Sequence, residues 1–220
     1  MLAIAGIDEA GRGCCIGPLV MAVATINIDN LQKLSEIGVK DSKELSPKKR
    51  EDLFSKLKKI LKEYKFVKIE AKELNELMLR RSLNEIEAMK AAFLLQDLKY
   101  KPVVAYLDSP DPLQGNFAKR IKKYLPFPME LYAYHKADQL FPIVSAASII
   151  AKVIRDKAIK KIEDKYKEYG CLGSGYTHDE LTIKFLKNYV KKNKKLPKFA
   201  RTEWITTQRI LDDSFQRKLF

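Results

Sequence analysis

The chain has few of the residues that build disulfide frameworks or zinc sites. Three cysteines, Cys14, Cys15 and Cys171, and two histidines, His135 and His178, stand in 220 residues. The cysteines form no CxxC pair, so a disulfide framework is excluded, and a zinc site is short of ligands. Long apolar runs are missing too: none approaches the roughly 18–20 residues that span a bilayer, which argues against a membrane partner. The N-terminus has no basic segment ahead of its short apolar stretch, so a signal peptide is not expected and the default location is cytoplasmic. Repeats and low-complexity tracts are also lacking, and monomer is the default assembly.

Acidic charge is in the minority. Forty-two Lys and Arg face 28 Asp and Glu, a net charge of +14. This balance points to a polyanionic partner, nucleic acid before an anionic membrane. Residues 180–220 hold eleven Lys and Arg against four Asp and Glu, half of the net charge. A solvated basic surface would give the same count. A 46% apolar content is enough for one sizeable α/β domain, expected over 1–179, with a basic helical extension over 180–220.

Leu2–Ile7 is an unbroken apolar strand, and Pro18–Ile28 a second, joined through glycines as an antiparallel hairpin. Ser46-Pro47 opens a helix to about Tyr64. A strand over 66–71, helices over 72–81 and 83–100, a strand at 103–107, a helix at 116–124 and a strand at 130–134 follow. The longest helix covers about 142–169, a basic amphipathic helix 181–195, and a short helix lies after Arg201. The order predicts an α/β fold with a mixed central sheet.

Apolar strands or strand-to-helix junctions end in Asp8-Glu9, Asp108 and Asp138. In α/β domains ligands gather beyond strand ends. Converging carboxylates repel one another unless a cation neutralises them, and two hard divalent ions would also suit a phosphodiester. Taken singly, Asp108 before Ser-Pro equally starts an Asx turn, and Asp138 equally caps a helix. Asp8-Glu9 is harder to place structurally, because two acids abut an apolar strand. Neighbours on a strand point to opposite faces, so both reach one site only if the strand ends or bends there, a freedom Gly11 and Gly13 offer.

The segments GIDEAGRG (6–13), DSK (41–43), YLDSP (106–110), KADQLFPIVSAASIIAKVIRD (136–156), GSGYTHD (173–179) and RTEW (201–204) together resemble ribonuclease HII of the archaeal type. The matches run in order through nearly the whole chain. The resemblance implies a ribonuclease H-like mixed sheet flanked by helices, with a helical C-terminal appendage. It implies hydrolysis of RNA paired with DNA, and cleavage 5′ to a single ribonucleotide in duplex DNA, leaving 3′-hydroxyl and 5′-phosphate ends. It also implies catalytic, metal-ligating roles for Asp8, Glu9, Asp108 and Asp138, with two Mg²⁺ or Mn²⁺ ions. Asp8 is our choice for the ligand that both ions share; the sequence does not divide the others between them.

Selecting a ribonucleotide requires sensing one 2′-hydroxyl. The resemblance gives that task to the Gly11-Arg12-Gly13 turn and to Tyr176; a tight turn and a packed loop tyrosine are the plainer alternatives. Lys43, Arg12, Lys152 and Arg155 are candidates for phosphate contacts or for supporting the site. Arg201 and Trp204 are expected to pin the tail, Cys14 and Cys15 to pack as small hydrophobes, and the histidines are weak catalytic candidates. The C-terminal QRKLF is too short and degenerate to identify a sliding-clamp peptide, so a clamp partner stays open. A non-enzymatic nucleic-acid-binding module would explain the charge but not the acids at the strand ends. An acid-cluster nuclease acting on DNA alone would leave the GRG turn and Tyr176 without a task.

Overall fold

In the computed structural model, which describes residues 2–39 and 45–216, strand β1 (Ala3–Ala10) is the centre of the sheet. It pairs antiparallel with β2 (Leu19–Asn27) along its whole length, from Ala3 opposite Asn27 to Ala10 opposite Val20. On its other edge it pairs in parallel with β4 (Val104–Asp108), but only from Ile4 to Ile7. β4 in turn pairs in parallel with β5 (Glu130–Tyr134), and β3 (Glu63–Ile69) flanks β2, giving the order β3-β2-β1-β4-β5. This is the mixed sheet expected from the element order.

Side chains alternate across β1 and β2, and each face has its own core. Ile4, Ala10, Val20, Ala22 and Ala24 pack with Leu53, Phe54 and Leu57 of α2 (Pro47–Ile60). The same cluster contains Ile143, Ala146, Ala147 and Ile150 of α7 (Pro142–Tyr166). Ala5, Ile7, Met21 and Val23 meet α4 (Leu83–Asp97) and α5 (Gln114–Lys122) through Ala88, Ala92, Leu95, Phe117 and Ile121. Gly6 lies against α7: a Cβ there would come 2.3 Å from the Ile143 carbonyl oxygen. Only glycine lets that helix sit so close to β1.

The chain forms two compact units. The first comprises 1–10, 20–67 and 81–154, and the second 11–19, 68–80 and 155–220. The second holds α3 (Ala71–Met78), α8 (Glu180–Asn193) and α9 (Ile205–Gln216). Its core collects Cys15, Ile16, Ile159, Leu172, Phe185, Leu186 and Ala200. Cys15 is thus a packed small hydrophobe, as expected, and the boundary expected at 179/180 falls inside this unit.

Several expected ends move. The helix from Pro47 stops at Ile60, because Leu61 turns extended and the Lys62 amide bonds the Thr25 carbonyl at 2.8 Å, starting the run into β3. The helix from Leu83 ends at Asp97, before Pro102. The Lys101 ammonium takes over the final carbonyls, with bonds to Leu95, Gln96 and Leu98. Two short helices, α1 (Gln32–Glu36) and α6 (Ala137–Leu140), were not expected. Among the described residues no helix is long and apolar enough to cross a membrane.

Candidate active site

β1 neither ends nor bends at Ile7 as the acid pair suggested: Asp8 and Glu9 are regular strand residues opposite Ala22 and Met21. What changes at Ile7 is the other edge, where pairing with β4 stops. There the Glu9 amide donates to the Asp8 carboxylate at 2.7 Å, a local bond that turns Asp8 along the strand towards Glu9. One carboxylate oxygen from each of Asp8, Glu9 and Asp108 then lies within 4.8 Å of the others.

Asp8 is buried, on the sheet face that carries α7. Burial first, and the Asp108 carboxylate second, push its carboxyl up to about 7; a Ser148 hydroxyl bond and the Glu9 amide oppose the shift. Ser148 in turn accepts a bond from Lys152 at 3.2 Å, so that lysine supports the site through a hydroxyl. Asp108, at the end of β4, accepts the Ala137 amide at 2.8 Å. Asp138 is buried on α6 and raises the Asp8 carboxyl more weakly than Asp108 does, but stands outside the three-acid set. A set of three close carboxylates, one of them buried and resisting ionisation, fits a divalent cation: the charge that destabilises the group is the charge a cation would bind.

The second unit holds the GRG turn and Tyr176. Cys14 forms a β-bridge with Tyr176, and the Cys15 amide bonds the Gly175 carbonyl at 2.8 Å. Arg155 is 5% exposed, and its guanidinium bonds the carbonyls of Ser174 and Ile16, both at 3.3 Å, while lying 5.9 Å from the Tyr176 ring centre. Gly11, at φ +84°, passes so close that a Cβ would sit 2.0 Å from the Arg155 Nε. Arg201, fully buried, donates to the carbonyls of Arg12 (3.0 Å) and Gly17 (3.1 Å) and lies over Trp204. The tail residue expected to act as a pin therefore holds the GRG turn itself.

Asp179 was quoted within a motif but given no task. It accepts from the Ser174 amide and hydroxyl and from the Leu181 amide, capping α8 and fixing the GSGY loop together. The Ser174 bonds hold its carboxyl down at about 2. An Asp two residues before an apolar helical pattern is the signal that could have found it. Burial pushes the Tyr176 phenol up, so its hydroxyl stays protonated at neutral pH. Lys43 and its DSK segment lie outside the described residues, as do the last residues of QRKLF.

The ribonuclease HII profile matches residues 5–207. The chain belongs to the ribonuclease HII family. Ribonuclease HII of Pyrococcus horikoshii is 46% identical over 207 residues, 94% of this chain and 92% of that protein. The crystal structure of ribonuclease H2 from Pyrococcus horikoshii OT3 superposes with a TM-score of 0.90 at 45% identity, covering 98% of this chain and all of that one. A PCNA:RNase HII complex from Archaeoglobus fulgidus contains a chain that superposes at TM-score 0.83 and 38% identity, over 92% of this chain and 95% of its own. With this membership the chain is a metal-dependent ribonuclease H, and its fold is ribonuclease H-like.

Proposed function

We propose that this ribonuclease HII cleaves the RNA strand of RNA–DNA hybrids, and duplex DNA on the 5′ side of a single ribonucleotide, at a site of Asp8, Glu9, Asp108 and Asp138. The observation that carries the assignment is the gathering of Asp8, Glu9 and Asp108 oxygens within 4.8 Å, with Asp8 buried among them. These acids would hold two Mg²⁺ or Mn²⁺ ions, with Asp8 shared and Asp138 completing the shell. Bound there, the ions supply activation of the attacking water and neutralisation of charge on the leaving 3′ oxygen.

The protein's own residues do the rest. Ser148, backed by Lys152, and the Glu9 amide both bond the Asp8 carboxylate and hold it in place. Selection of the 2′-hydroxyl falls to the Gly11-Arg12-Gly13 turn, which follows Glu9 by one residue in the chain, and to Tyr176. Arg201 and Arg155 support the backbone of these two segments, so a sugar would meet prearranged donors and acceptors. Tyr176 is 39% exposed, and its ring could stack on a sugar while its protonated hydroxyl bonds it. Lys43 and Arg12 are assigned to phosphates, which fix register without reading sequence.

The test is direct. With Mg²⁺, the protein cuts a DNA duplex carrying one ribonucleotide and leaves an all-DNA duplex intact; equal cutting of both would remove the assigned selectivity. Loss of cleavage in Asp138→Asn is expected as well, and full activity there would reduce the site to three acids. For partners, a sliding clamp is the corresponding expectation, checked by co-elution of the full chain with a clamp from an archaeal source.

A further inference from the structure

Three features stand outside the roles given so far. The basic face of α8 adds only to the affinity for a polyanion that the net charge already implies, and the groove between α5 and β5 has no occupant suggested by its surroundings. The third is a chain of polar contacts centred on Asp111, three residues after Asp108.

The Asp111 side chain is 3% exposed. Its carboxylate accepts from Asn84 Nδ2 at 2.5 Å and from Arg120 Nε at 3.0 Å. Arg120 continues to Glu85 at 3.0 Å, and Glu85 takes the Tyr124 hydroxyl. The turn after β4 is thereby anchored to α4 and α5, two elements of the opposite core. The backbone of Asp111 carries the anchoring onward. Its carbonyl lies 2.7 Å from His135 Nε2, and because a carbonyl only accepts, that nitrogen carries a proton.

His135 opens the loop after β5 that leads to Asp138. The next residue, Lys136, is held in the left-handed region at φ 55°, a conformation a non-glycine residue keeps only when its neighbours are fixed. They are fixed on both sides here. His135 is tied to the Asp111 carbonyl, and the Ala137 amide is tied to the Asp108 carboxylate. The Ser109 amide bonds the Tyr134 carbonyl at 2.9 Å, closing the ring of contacts between the two loops.

We infer that Asp111 and His135 are positioning residues that set the spacing of Asp108 and Asp138, Asp111 from its buried carboxylate and His135 through the Asp111 carbonyl. This role rests on the reading that Asp108 and Asp138 serve one site. His135, exposed and weakly qualified as a catalyst by sequence, acts on loop geometry and touches no substrate.

The test uses the full chain with a DNA duplex containing one ribonucleotide. His135→Ala lowers kcat about tenfold at saturating Mg²⁺, the size of effect usual for groups that orient metal ligands, and leaves KM within about twofold. A second readout needs neither metal nor turnover: the Ala137 amide exchanges its hydrogen faster in His135→Ala than in the parent. His135→Gln, whose side-chain amide also donates, restores both. Asp111→Asn, which turns an NH₂ or loses a charge towards Arg120, gives the same two changes. An unchanged kcat in His135→Ala, or a fall in kcat without faster exchange at Ala137, overturns the inference. Asp138→Asn separates the two levels: if it stays active, the four-acid reading fails; if it is inactive while His135→Ala is normal, only the brace fails.

Discussion

Burying a carboxylate beside two others costs the folded state free energy, and Asp8 carries that cost. Its folded carboxyl titrates at about 7 against an ordinary 3.8, so the folded chain binds this proton more tightly than the unfolded chain does. Stability from this group is full below about pH 4 and is lost as pH rises towards 7. A divalent ion competes for the same oxygens. Asp8→Asn should therefore abolish cleavage yet melt several degrees above the parent in EDTA near pH 8, with the gap closing near pH 4. Added Mg²⁺ should raise the parent's midpoint more than the variant's. A variant that melts below the parent in EDTA near pH 8 would show that Asp8 is not strained. Tyr176 offers the opposite case: in the proposed role its hydroxyl serves selection of the substrate rather than the fold. Tyr176→Phe should slow cleavage at a single ribonucleotide about five- to tenfold, the worth of one hydrogen bond, with an unchanged melting point. An unaltered rate in single-turnover assays would leave the ring only a packing role.

Between elements, the arrangement of the GRG turn depends on a contact made across 144 positions of sequence, where Gly11 gives way to Arg155. Gly11→Ala meets two penalties, a left-handed backbone of about 1–3 kcal/mol and a Cβ driven into the guanidinium. Arg155→Ala removes the second penalty and leaves the first. In urea titrations the double variant should be less destabilised than the sum of the singles, by about 1 kcal/mol or more; strict additivity would mean the two residues do not press on each other. This contact also marks what local sequence could not reveal. The acids at strand ends were legible because charge abruptly follows an apolar run, and the Ser46, Ser82 and Asp179 caps lie where a polar residue meets a helical pattern. The continuation of β1 through Ala10 was hidden by the same acids, which read as a strand end although β2 goes on pairing with them. Nor did any spacing connect Asp111 to His135 or Arg201 to Arg12, since those bonds join residues distant in the chain.

At the scale of the whole molecule, a net charge of +14 sets how the chain meets a duplex, and α8 concentrates it. Phe185, Leu186 and Val190 bury one side of this helix, while Lys184, Lys187 and Lys191 stand exposed at i, i+3 and i+7 on another. Three ammonium groups along one exposed row match a phosphate backbone better than they match any carboxylate: no ion pair to them is found among the described residues. Each phosphate neutralised releases condensed counterions, so the logarithm of affinity falls with the logarithm of salt by about 0.9 per contact. Replacing all three lysines with glutamine should flatten that slope by about 2–3 and weaken binding at low salt, equally for duplexes with and without a ribonucleotide. The melting point should hardly move, because exposed charges contribute little to stability. Cleavage at saturating substrate should survive, since these side chains position the duplex and take no part at the carboxylates. Fluorescence anisotropy over a salt series, run beside single-turnover cleavage, separates the two quantities. An unchanged slope would place the duplex on another face of the protein and leave α8 a solvated helix.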